Sequence, residues 1–102
     1  MQATVAVFGI LRFPAENIEH IRPHIQSLVD TTKQNDNCIA YEVAEDLFDP
    51  GLIRFSELWP NRESLEKHLA APHIEPWRVI AKTFGLKQRE FTAYDINGSF
   101  TV

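Results

Sequence analysis

The residues in this sequence best suited to chemistry are a carboxylate and an imidazole. Ile53, Phe55, Glu57 and Trp59 alternate along one run, so in an extended strand their side chains share a face and Glu57 is carried into an apolar layer. A carboxylate there must find a partner or keep its proton to a higher pH. His68 follows at helical spacing from Leu65 and beside Leu69. We read it as that partner: Glu57 orients the ring and raises its pKa, and His68 acts as a general base. Pairs of this kind also stabilise folds without catalysing anything, so the pattern marks a candidate site and not yet a reaction. Phe55, Trp59 and Trp77 are the large rings expected to line a cavity beside the pair, with Tyr41 able to donate to a ligand oxygen and His73 as a further contact.

Other chemistries find little support. His20 and His24 stand at i and i+4, a spacing that can seat a metal, but no carboxylate or third ligand accompanies them, and we read them as surface histidines. Cys38 is the one cysteine, which rules out an internal disulfide and leaves a small buried thiol. There is no Gly-rich phosphate loop, Ser nucleophile motif or Cys pair, so neither a metal nor a bound cofactor is expected.

Local patterns outline the elements that must position these groups. Residues 4–13 are β-branched, aromatic or small and stop at Pro14, which reads as a strand with apolar residues on both faces: Val5, Val7 and Leu11 on one, Ala6, Phe8 and Ile10 on the other. Ile18, Ile21, Ile25, Leu28, Val29 and Thr32 then repeat at three and four, lining one side of a helix to about residue 34, with Pro23 on its solvent side. Asn37 suits a left-handed turn after it. Strands at 38–45 and 52–59 form a hairpin across Asp49-Pro50-Gly51. Asn61 caps a short helix through Leu69, and a last helix carries Ile74, Trp77, Ala81 and Phe84 inward until Gly85 closes it. A final strand spans 86–96. The order is that of a split βαβ, ferredoxin-like α+β domain: a four-stranded antiparallel sheet with helices on one face.

A chain of 102 residues allows one domain over 1–102. Its formal charge of −4, with ten basic residues scattered singly, argues against a nucleic-acid surface. The apolar N-terminal stretch has no basic flank and is closed by Arg12 well short of membrane-spanning length, so no membrane association and a cytoplasmic location are expected. Helices on one face would leave the second apolar face of the first strand open, and a second copy is its simplest cover.

Residues 37–77, NCIAYEVAEDLFDPGLIRFSELWPNRESLEKHLAAPHIEPW, resemble the antibiotic biosynthesis monooxygenase family. The matched elements are Cys38 and Tyr41, Asp46 and Asp49-Pro50, Glu57 and Trp59, then Leu65, His68, Leu69 and Pro72-His73. The resemblance implies a dimeric α+β barrel with a ligand cavity between sheet and helices in each subunit. It also implies one of several activities, among them oxygenases that need neither metal nor flavin, quinol oxidation, haem degradation and sugar-phosphate isomerisation. The chain departs from the family pattern at Asn37, usually Gly, and at Arg78, where haem degraders carry their iron-binding His. The function expected is therefore oxidation of a small aromatic phenol or quinol by O₂ in a homodimer. The rival expectations are a non-catalytic ligand-binding or interaction dimer and a small-sugar-phosphate isomerase with Arg78 and Lys82 at the cavity mouth.

Overall fold

In the computed structural model, which describes residues 2–102, β1 (Val5–Arg12) runs between two antiparallel neighbours, β3 (Leu52–Trp59) and β4 (Gln88–Asp95), and β2 (Ala40–Glu45) pairs with the outer edge of β3. The sheet order is β2-β3-β1-β4, fully antiparallel. Three helices accompany it: α1 (Ile18–Asn35), entered through a single 3-10 turn at Ala15–Asn17, α2 (Arg62–Leu69) and α3 (Ile74–Thr83). This is the ferredoxin-like α+β plan that the element order implies. None of the helices among the described residues is long and apolar enough to cross a membrane.

Register decides which side chains meet. Val7 stands opposite Glu57 on β3 and Ala93 on β4, Gly9 opposite Phe55 and Phe91, and Leu11 opposite Ile53 and Arg89. Since side chains alternate, these rows share the helix-facing side of the sheet. The core forms there, with Val5, Val7, Leu11, Ile53, Phe55 and Trp59 buried against Ile21, Ile25 and Leu28 of α1 and Ile74 and Ala81 of α3. At about 25 cal/mol per Å² of apolar surface, this layer supplies the main stabilisation.

The turns follow local chemistry. Asn37 takes φ 60°, the left-handed conformation that lets the chain leave α1 sharply. Gly51 sits at φ 91°, and a Cβ there would meet the Phe13 carbonyl oxygen at 2.3 Å, so the β2–β3 turn requires glycine. Asn61 caps α2, its side chain accepting from the Ser64 N–H at 2.8 Å. Among the described residues, no helix lies over the outer side of the sheet. There Phe8 is 55 % exposed and rests against Tyr94, 6.2 Å between ring centroids, while Ala6 is buried and Ile10 half-buried. The expectation that β1 is buried on both faces is met on the helix side only within this chain.

Candidate functional site

A cavity of about 300 Å³ lies between the sheet and the helices. Its floor is built from the three register rows: Val7, Glu57 and Ala93, then Phe55 and Phe91, then Leu11 and Arg89, with Tyr41 beside Glu57 on β2. Its roof comes from Leu28 and from two helical triplets at the same spacing, Leu65, His68 and Leu69 on α2 and Ile74, Trp77 and Arg78 on α3. Residues at i, i+3 and i+4 share one helix face, which is why each triplet turns inward together.

His68 is 4 % exposed, and its Nδ1 lies 2.6 Å from Asp36 Oδ2. A carboxylate only accepts, so in the neutral ring Nδ1 carries the proton and Nε2 keeps the lone pair. Asp36 stands just after α1, with its side chain almost wholly buried. His73 Nε2 lies 3.0 Å from Thr32 Oγ1 and 3.4 Å from Asp36 Oδ2. The pairing of His68 with Glu57 is thus corrected. The Glu57 carboxylate accepts instead from the Trp59 indole, Nε1 to Oε1 at 2.9 Å, because residues two apart on a strand share a side. In the sequence Asp36 reads as turn punctuation, 32 residues from His68, and nothing local marks it as a partner.

Burial sets the protonation of this group. The Glu57 carboxyl is pushed up to about 7, chiefly by burial and against the pull of the Trp59 N–H and the Arg89 charge. His68 is lowered from its ordinary value because loss of solvation outweighs the attraction of Asp36. That reverses the expected upward shift and leaves the imidazole neutral at pH 7. Burial also raises the Tyr41 phenol, which stays protonated, and the Cys38 thiol, which stays un-ionised.

The aromatic residues divide. Phe55, Trp77 and Tyr41 are on the cavity wall with Glu57 and His68. Trp59, fully buried, lies behind the wall, its ring 4.8 Å from that of His68, and His73 is off this lining and borders a separate groove with His24 and Pro76. His20 is exposed and His24 packs on Phe84, 5.5 Å between rings. Arg89 joins the wall although nothing local in the sequence singles it out; Lys82, expected at the mouth, is exposed and off the lining. Asp36, His68 and His73 offer ligand atoms all within 4.8 Å of one another, a donor set that divalent zinc or iron accepts. Seating an ion at ligand distances of roughly 2.0–2.2 Å would require the Asp36–His68 contact to open to about 3 Å. At 2.6 Å the two are set as a hydrogen bond.

A family model described as antibiotic biosynthesis monooxygenase matches residues 4–78. The chain belongs to that family. Among solved structures, this family member is similar to a Deinococcus radiodurans protein provisionally assigned as an antibiotic biosynthesis monooxygenase, at 30 % identity and TM-score 0.89, covering 96 % of this chain and 97 % of that one. A second structure, of an antibiotic biosynthesis monooxygenase, matches at 27 % identity and TM-score 0.83 over 90 % and 97 % of the two chains. A conserved protein from Methanosarcina mazei Go1 shares the fold at 21 % identity and TM-score 0.83, over 92 % and 93 %. No curated protein matches the sequence. At Arg78 this family member presents a guanidinium to the cavity, a group with donors and no lone pair for iron.

Proposed function

We propose that the protein is a monooxygenase that oxidises a small aromatic phenol or quinol with O₂ and needs neither metal nor flavin. The observation that carries this reading is a neutral His68 on the wall of a largely apolar cavity that includes Tyr41, Phe55, Trp77 and Phe91, its Nδ1 held by Asp36 and its Nε2 without a hydrogen-bond partner among the described residues. Family membership and the provisional oxygenase assignment of a 30 % identical neighbour support it.

In this mechanism His68 Nε2 takes a phenolic proton, and Asp36 stabilises the imidazolium that results. The electron-rich anion passes one electron to O₂, and the radical pair combines to form a C–O bond to a ring carbon. Glu57, protonated on part of the molecules near neutrality, donates to the outer peroxide oxygen as the O–O bond breaks. That oxygen leaves as water with this proton and the one that His68 returns, the hydrogen of the ring carbon passes as a proton to Glu57 and restores it, and a quinol ends as a hydroxyquinone. The substrate supplies all the electrons. Phe55 and Trp77 pack on its ring, and Tyr41 remains a neutral donor.

Oxygen uptake with a panel of quinols tests the proposal. His68→Ala is expected to lower turnover by roughly 10²- to 10⁴-fold, the usual contribution of a general base. Unchanged turnover in that variant rejects the assignment. The pH profile should be bell-shaped, rising through a value below 6.5 as His68 loses its proton and falling above about 7 as Glu57 loses its own.

The same reading includes a homodimer joined through the outer side of the sheet. Phe8 and Tyr94, both about half exposed, support it, since an apolar patch of this kind favours cover. The interface expected is about 2,000 Å² in total or more. A folded monomer at micromolar concentration in sedimentation overturns this part.

A further inference from the structure

The arginines of this chain fall into two groups. Arg12, Arg22 and Arg54 hold Asp49, Glu45 and Asp46 at 2.9, 2.7 and 2.8 Å, and Arg62 holds Asp95. Arg78 and Arg89 behave differently. Arg78 reaches Glu75 only at 3.6 Å, and Arg89 has no carboxylate partner among the described residues. These two are the arginines on the cavity wall, one from α3 above and one from β4 below.

Arg89 is also held in place. A Cβ at Gly9 would lie 2.2 Å from the Phe91 ring, so the absence of a side chain there lets Phe91 lie across β1, edge-on to Phe55 at 5.2 Å. The Arg89 guanidinium rests on that ring with its Cζ 4.5 Å from the centroid. Stacking on an aromatic face leaves the N–H edge of a guanidinium open, the geometry that takes a carboxylate in two parallel hydrogen bonds. Phe91 sits in the Gly9 row and Glu57 in the Val7 row, two residues along β1. That step is about 7 Å, the span of one aromatic ring.

We propose that Arg89, assisted by Arg78, forms a carboxylate-binding subsite at one end of the cavity, so that the ligand is an aromatic acid. Its ring packs on Phe55 and Trp77, its carboxylate lies on the arginines and its hydroxyl points toward Glu57 and His68. The inference rests on the reading of the cavity as an aromatic substrate site and adds the charge and polarity of that substrate. In a chain of net charge −4, two arginines face one cavity, Arg78 with only the Glu75 carboxylate at 3.6 Å and the Leu69 carbonyl oxygen at 3.4 Å as partners and Arg89 with no ion pair among the described residues, so positive charge gathers here against the overall sign.

Binding of 6-hydroxy-2-naphthoate and of its neutral methyl ester, followed by titration calorimetry at low salt, tests the subsite. The native protein should bind the acid at least tenfold more tightly than the ester, with the preference shrinking as salt is added. R89M should remove at least tenfold of the affinity for the acid while leaving the ester within about twofold, and R78M should act the same way to a smaller extent. K82M, off the lining, should change neither. Equal binding of acid and ester overturns the proposal, as does an R89M variant that weakens both alike or a K82M variant that mimics it. H68A separates the two readings. If it abolishes oxygen uptake but keeps the acid preference, both stand. A native protein that prefers the acid yet never consumes O₂ with any quinol retains the subsite and loses the oxygenase assignment. Uptake with neutral quinols but no acid preference does the reverse.

Discussion

The two sides of the sheet use the same alternation to opposite ends. On the helix side Tyr41, Phe55 and Trp59 are buried, and polar atoms among them are accounted for: the Trp59 indole donates to Glu57, and His68, Asp36, Thr32 and His73 satisfy one another. On the outer side Phe8 and Tyr94 stand among Arg54, Ser56, Glu90 and Thr92 and stay about half exposed. Aromatic content alone therefore does not make a site. A buried polar group does, because its charge state is then set by neighbours and no longer by water.

Substitutions should separate the two sides clearly. Trp59→Ala, on the helix side, is expected to cost about 3–5 kcal/mol in denaturant unfolding, the range for emptying a large buried ring, and to leave Glu57 without its donor. Glu57→Gln should flatten a pH dependence on the order of 3 kcal/mol. The folded chain keeps its Glu57 proton up to about 7 while the unfolded chain releases it near 4.5, so native stability falls as pH rises between those values. Unfolding midpoints at pH 5 and pH 8 measure that slope in both proteins. An unchanged slope in the variant would show Glu57 to be solvated. Gly9→Ala should cost about 1–3 kcal/mol by overpacking, since Phe91 must move, and should weaken the acid preference with Arg89 displaced. Phe8→Ala closes the series: unfolding of the isolated chain should change by no more than about 0.5 kcal/mol, as for an open surface position. At higher concentration the loss should grow, because the proposed second copy covers this side; a loss that stays this small at every concentration counts against the dimer.

Much of the frame is legible in the sequence. The bounds of β3, the cap at Asn61, the left-handed Asn37 and the closing Gly85 agree with the structure because each is written within a few neighbouring residues. Three strands are shorter than the sequence pattern implies: Val5–Arg12 within 4–13, Ala40–Glu45 within 38–45, and Gln88–Asp95 within 86–96. Strand pairing ends where the partner does, and composition does not record that. Placement of Glu57 on the helix side and of His68 on the inner face of α2 also followed from periods of two and 3.6.

What the sequence determined by itself was thus the order of elements, the face each presents and the family. Tertiary structure alone decided the partners. Asp36 reaches His68 only because the turn after α1 meets the end of α2, and Glu57 accepts from the Trp59 indole two residues along its own strand. The direction of the His68 shift depended on depth as well. A carboxylate neighbour raises a histidine and burial lowers it, and which of the two wins is a matter of how much water the packed helices exclude.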